Sequence, residues 1–174
     1  MIPFAEYCTR VEEHIGRAYG IQVVTRDVPD PLTGDLDGAE IQIDYATGPE
    51  LRLFLLAHLF GHTVQWNVNP DAFELGRPRQ PPVNEDAIPA LMEYERQAAG
   101  YAQSVFHDVG ITGLDQWLAD YSACDMAYLQ HYYRTGEKRD FLSFWLENTP
   151  RLQPRPLPAF RLTKRSLRSD GIVI

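Results

Sequence analysis

The chain has 174 residues, a formal net charge of −8 and two cysteines. A chain of this length is expected to form one domain that buries roughly two thirds of its unfolded surface without needing disulfide bonds. We find no basic region followed by an apolar run at the N-terminus, and the longest apolar run, LFLLAHLF, is too short to span a bilayer. We therefore expect a soluble, cytoplasmic protein with no membrane partner, in which Cys8 and Cys124 are small core residues.

The first third of the sequence predicts a helix and two strands. Apolar residues every three or four positions indicate a helix over 4–19 that ends at Gly20. Residues 21–25, IQVVT, predict a short strand, and a loop follows over 26–35. Apolar and polar residues alternate in AEIQIDY, which predicts a strand with one solvent-exposed face. Its buried face would be formed by Ala39, Ile41, Ile43 and Tyr45.

The next helix is predicted to be the centre of the fold. Pro49 and Glu50 suit the first turn of a helix, and the segment to about Trp66 is apolar on almost every side. Residues 67–89 contain five prolines and predict a long irregular crossing. Further helices are expected over 89–107, over 112–134 and, more briefly, in RDFLSFWLEN.

These elements predict an α+β fold of a zincin-like kind. A small, mainly antiparallel N-terminal sheet should pack on the central histidine-bearing helix, with a helical C-terminal half after it. We expect one domain over 1–148 and a basic, proline-punctuated tail over 149–174, with a strand in its last residues, GIVI. Excluding residues 151–174, which hold six basic residues and one acid, the chain has a charge balance of −13. Such a body repels phosphate, so nucleic acid is an unlikely partner except through the tail, and we favour pairing of the tail with the acidic body.

Two histidines on the central helix suggest a metal site. His58 and His62 are four residues apart, which places both imidazoles on one helical face, as a shared zinc ion requires. In zinc peptidases with an H-E-x-x-H motif, a glutamate follows the first histidine and takes a proton from the metal-bound water. Leu59 occupies that position here and cannot do so.

A third metal ligand is predicted on the helix after the crossing. Glu95 lies on one stripe with Ala98, Ala102 and Val105, whereas Glu93 lies on a mostly polar stripe. The Glu95 carboxylate should therefore point inward, where it needs a cation or hydrogen-bond donors. The small alanines beside it would let the two helices approach closely enough to share one ion.

The segments LRLFLLAHLFGHTVQW and EYERQAAGYAQSVF resemble the ImmA/IrrE-type metallopeptidases. In that family an H-E-x-x-H helix precedes a helix reading roughly E-x-x-A-(N/D)-x-(F/Y)-A, which Glu95, Ala98, Tyr101 and Ala102 match. The resemblance covers about residues 4–107 and implies a zinc cofactor held by His58, His62 and Glu95. Leu59 and Ala99 depart from the family pattern at the catalytic glutamate and at the Asn or Asp position.

Three functions remain open from the sequence. We favour a peptidase-like domain that no longer cleaves and that binds a protein or peptide, partly by β-strand addition at an exposed sheet edge. The first alternative is an active zinc peptidase whose base lies elsewhere, with Glu93 and Glu40 as available carboxylates. The second is a nucleic-acid or assembly adaptor that acts through the basic tail.

Overall fold

The structure is a computed structural model that describes residues 2–28, 33–77 and 79–165. Strands lie near the N-terminus and helices form the rest, so the predicted α+β class is confirmed. The helices and strands are α1 (Phe4–Tyr19), β1 (Gln22–Arg26), β2 (Gly34–Leu36), β3 (Glu40–Asp44), α2 (Pro49–Val68), α3 (Pro70–Leu75), α4 (Ile88–Asp108) and α5 (Asp115–Thr135), with 3-10 turns at Glu85–Ala87 and Phe141–Phe144.

The three strands form one mixed sheet with β3 in the middle. β1 pairs with β3 in parallel and β2 pairs with β3 in antiparallel fashion. The prediction of a mainly antiparallel sheet was therefore wrong for half of the pairing. The short strand β2 begins within the segment predicted as a loop and forms the antiparallel edge of the sheet beside β3. Three residues are too few to show a period in sequence.

The alternation predicted for AEIQIDY is correct within β3 but fails at both ends, and at the first end Ala39 precedes the strand and is only half-buried. Ile41 and Ile43 are fully buried, whereas the Tyr45 side chain is 69% exposed. Asp44 is the last residue of β3, and its carboxylate accepts a hydrogen bond from the backbone N–H of Ala46. That turn carries Tyr45 out of the strand, so the period of two no longer governs its direction.

Helix α2 is the buried centre of the molecule, as predicted. Every residue from Leu53 to Trp66 is buried. Its closest approach to α4 is at Gly61, where an added Cβ would lie 2.2 Å from the backbone oxygen of Ala98. Only a glycine permits this approach, which brings the backbones of the two helices together one turn away from Glu95.

The crossing over 67–89 contains more regular structure than predicted. Helix α3 begins after Asn69, whose side chain accepts a hydrogen bond from the N–H of Asp71. Asn84 caps the following 3-10 turn in the same way, through the N–H of Asp86. Local asparagine caps thus start short elements that are too short to show a period in the sequence.

The C-terminal segment 149–165 is extended and lies against the body. The Arg155 N–H donates to the carbonyl of Gly100, and the Ser104 hydroxyl donates to the carbonyl of Arg155. Further along, Lys164 forms an ion pair with Asp37 at 3.0 Å. The predicted strand GIVI lies outside the described residues, and the domain boundary at residue 148 stays a prediction. Among the described helices, none is both long and apolar enough to cross a membrane.

Candidate metal centre

The structure brings His58, His62 and Glu95 together in the interior. The His62 Nε2 atom lies 3.1 Å from His58 Nε2 and 3.1 Å from Glu95 Oε2, and His58 Nε2 lies 3.8 Å from the same oxygen. All three side chains are buried. They form a group that could hold a metal ion.

These separations suit one tetrahedral ion. Ligand atoms placed about 2.0 to 2.1 Å from a zinc ion at tetrahedral angles lie about 3.3 to 3.4 Å from one another. The three measured separations of 3.1, 3.1 and 3.8 Å lie on both sides of that value. Two imidazole nitrogens and one carboxylate oxygen are also a donor set typical of zinc sites with an open fourth position.

The ring orientation of His62 is set by a chain of hydrogen bonds. Its Nδ1 atom lies 2.8 Å from Gln65 Oε1, and the Gln65 amide donates to the carbonyl of Tyr94 at 2.8 Å. A histidine that donates Nδ1–H to this acceptor keeps the lone pair of Nε2 for a metal. Gln65 is one turn from His62 on α2 and reaches the residue before Glu95 on α4.

A fourth polar side chain approaches the group from α5. Asp125 is 1% exposed, and its Oδ2 atom lies 4.0 Å from the Nδ1 atom of His58. Within the described part of the chain, its Oδ1 atom has no hydrogen-bond partner. Sequence reasoning missed Asp125, because a single acidic residue in a helix carries no pattern that would link it to His58 on another helix.

Burial decides the charge state of His58. Burial and the neighbouring His62 lower the pKa of His58 to about 3, against the opposing effect of Glu95. Its imidazole is therefore neutral near pH 7, which is the form that binds metals. Burial alone would raise the pKa of Glu95, but His62 and then His58 outweigh it and keep that pKa below its usual range.

Leu59 does not face the metal group. Its side chain is fully buried, and its Cδ1 atom would lie 2.9 Å from a Cβ added at Gly34 on β2. Position 59, where an H-E-x-x-H motif has its glutamate, is thus a leucine that packs tightly on the edge strand.

The alternative bases named from the sequence lie elsewhere. Glu93 is exposed and forms an ion pair with Arg96 and a hydrogen bond with Gln97. Glu40 accepts a hydrogen bond from Gln42 on the same strand. His107, which was expected at a helix end, lies in the last turn of α4 and contacts Asp115 at 2.8 Å.

An aromatic cavity lies one side chain away from the metal group. The Phe54 ring stacks on His58 with centroids 5.3 Å apart and on Tyr121 with centroids 4.4 Å apart. Phe54 also lines a cavity of about 320 Å³, together with Tyr128 and Leu142. Thr33, which precedes β2, reaches the same cavity, so the sheet edge and the cavity adjoin.

Comparison with protein-family models, with curated proteins and with solved structures returns no significant match for this chain. The class of site therefore rests on the geometry itself: a buried His-His-Glu group on two helices of an α+β fold.

Proposed function

We propose that this protein is a zincin-like domain, related to the ImmA/IrrE-type metallopeptidases, that binds zinc but has lost the base for peptide hydrolysis. The observation that carries the proposal is the convergence of the ligand atoms of His58, His62 and Glu95 while position 59 is a buried leucine. The outer contact between His62 and Gln65 supports it, because a metal-bound histidine usually donates its second N–H to an acceptor.

We further propose that the domain binds a protein or peptide in the aromatic cavity beside the metal group. Leu142 is 61% exposed at the cavity, and the aromatic side chains behind it provide the apolar surface that anchors a peptide side chain. The adjoining strand β2 is at the edge of the sheet, where an extended peptide can add main-chain hydrogen bonds.

Zinc binding is tested by metal titration of protein first stripped with a chelator. The wild type should bind one zinc ion and unfold at a higher temperature when loaded, whereas His62→Ala should lose both effects. His107→Ala is the matched control, because this histidine pairs with Asp115 outside the group. Equal binding by the wild type and His62→Ala would contradict the metal site.

Loss of catalysis is tested with the zinc-loaded wild type and a broad peptide library. We expect no chelator-sensitive cleavage, because zinc alone lowers the pKa of its water but leaves no carboxylate to take the proton. Cleavage that disappears in His62→Ala would instead support the alternative, an active peptidase with a base other than residue 59.

Peptide binding is tested with the same library immobilised on an array. Leu142→Glu should weaken the binding of apolar peptides, because it places a charge at the mouth of the cavity. Leu146→Glu is the control, since Leu146 is 66% exposed on the same segment and is not among the residues that line the cavity. If both variants bind as the wild type does, the cavity is not the peptide site.

The remaining alternative function is a nucleic-acid or assembly adaptor that acts through the basic tail. Lys164 pairs with Asp37, and the Arg165 side chain donates to the carbonyl of Trp66. The Arg155 guanidinium lies 5.3 Å from the ring centroid of Tyr101. These three basic residues are engaged with the body, so the adaptor is less well supported than peptide binding.

A further inference from the structure

We propose that Asp125 is the positioning residue of His58: its carboxylate accepts the Nδ1–H of that imidazole and directs the Nε2 lone pair at the metal. This inference rests on the proposed zinc site. It assigns a role to helix α5, which lies beyond the part of the chain that resembles a known family.

The first support is the side of the ring that Asp125 approaches. Oδ2 of Asp125 lies 4.0 Å from Nδ1 of His58, whereas the Nε2 atom of the same ring faces His62 and Glu95. Asp125 is therefore placed behind the ligand rather than among the ligands. Asp125 is accordingly not among the three side chains that converge as possible ligands.

The second support is that an oxygen atom of the Asp125 carboxyl group lacks a hydrogen-bond partner among the described residues. A buried carboxylate normally has hydrogen-bond partners, and Oδ1 of Asp125 has none within the described residues. The separation of 4.0 Å exceeds a hydrogen bond, but the terminal torsion of an aspartate is soft, so a small rotation and shift can bring an oxygen to Nδ1.

The third support is the charge of the loaded site. A divalent ion held by two neutral imidazoles and the Glu95 carboxylate keeps one excess positive charge in the interior. Burial and the neighbouring Glu95 charge raise the pKa of Asp125 well above its usual value, and a cation bound beside His58 would offset both effects and favour the charged carboxylate. Gln65, the corresponding partner of His62, is neutral, so Asp125 is the outer partner that completes this balance.

The test compares Asp125→Asn, Asp125→Ala and the wild type by competition with a chromophoric zinc chelator. Loss of an outer partner should weaken zinc binding by about 10- to 100-fold. Metal-free Asp125→Asn should keep the unfolding temperature of the wild type, because asparagine has nearly the same volume and no hydrogen bond to the Asp125 Oδ1 atom is lost within the described residues. Only the rise in unfolding temperature on adding zinc should shrink.

Asp120→Asn is the matched control on the same helix. Asp120 is also buried, but its oxygens accept hydrogen bonds from Asn148, Thr149 and Gln116. This variant should lose stability without zinc and keep the zinc affinity of the wild type. The two aspartates are thus expected to give opposite results.

A spectroscopic readout separates positioning from packing. Long-range ¹H–¹⁵N spectra of the zinc-loaded wild type should show His58 protonated at Nδ1 and metal-bound at Nε2, and the Nδ1 resonance should shift in Asp125→Ala. Zinc affinity and His58 resonances that are unchanged in both variants would overturn the inference while leaving the metal site intact. A wild type that binds no zinc would overturn both.

Discussion

Leu59 on α2 and Gly34 on β2 are in such close contact that a Cβ at Gly34 would lie 2.9 Å from the Leu59 Cδ1 atom. Leu59, at the position where an H-E-x-x-H motif has its glutamate, is therefore part of the contact between α2 and β2. A substitution at position 59 therefore changes the packing of α2 against β2 as well as the chemical groups available near the histidines.

We expect Leu59→Glu, which would complete an H-E-x-x-H motif, to destabilise the fold rather than simply to produce a peptidase. The substitution buries a carboxylate against β2, and we expect the free energy of unfolding to fall by about 2 to 5 kcal/mol. Urea unfolding of zinc-loaded protein measures this, with Leu59→Met as the volume-conserving control that should lose less than about 1.5 kcal/mol. A stable Leu59→Glu protein with zinc-dependent cleavage would contradict this expectation and show that the contact between α2 and β2 can accommodate the carboxylate.

Gly61→Ala should separate the two ligand-bearing helices. Its Cβ would meet backbone atoms of Ala98, which cannot move aside as a side chain can, so α4 must shift and carry Glu95 away from His62. We expect a loss of about 1 to 3 kcal/mol in stability, together with weaker zinc binding in a chelator competition.

Gly16→Ala is the control for Gly61→Ala, since it is also a helical glycine and its added Cβ would meet its nearest neighbour at 3.7 Å. Alanine there should gain up to about 1 kcal/mol from helix propensity. If Gly61→Ala behaves in the same way, the close approach does not hold the site together.

Only part of the site could be predicted from the sequence. The spacing of the histidines and the stripe of Glu95 depend on helical geometry, which a sequence reveals directly. The contacts of Asp125 and Gln65 depend on the angles at which the helices cross, and these angles cannot be inferred from the residue pattern of a single sequence. Strand β2 was missed for a related reason, because its place in the sheet comes from pairing with β3 rather than from its own period.

Asp120 should contribute to stability in a pH-dependent way. Burial raises its pKa, but hydrogen bonds from Thr149, Gln116 and Asn148 outweigh burial and hold the pKa below its ordinary value of 3.8. The folded state thus releases this proton at a lower pH than the unfolded state does. The resulting stabilisation is fully present above about pH 4 and is lost as the pH falls through the folded pKa.

Comparing the wild type with Asp120→Asn by urea unfolding at several pH values tests this expectation. In chelator-treated protein, the variant should be less stable by about 1 to 3 kcal/mol near pH 7. The difference should narrow below pH 4. A difference that stays constant down to pH 3 would mean that the carboxylate charge is not what Asp120 contributes.

Gly100→Ala should release the C-terminal segment from α4. A Cβ at Gly100 would lie 2.6 Å from Arg155 Cγ and 2.9 Å from the backbone oxygen of Gln153. We expect faster proteolysis within 149–165 at an unchanged zinc affinity, measured by limited digestion and mass spectrometry. If the digestion pattern stays that of the wild type, the segment accommodates the methyl group.

The contacts of the C-terminal segment also bear on the order of folding. The hydrogen bond from the Thr163 N–H to the Asn67 side chain closes a span of 96 residues, and the chain entropy lost in such a closure grows with its length. Asn67 and Gly100 are in position only after α2 and α4 have paired. We therefore expect residues 149–165 to dock after α2 and α4 have brought His58, His62 and Glu95 together, so that this segment secures the folded core rather than nucleating it.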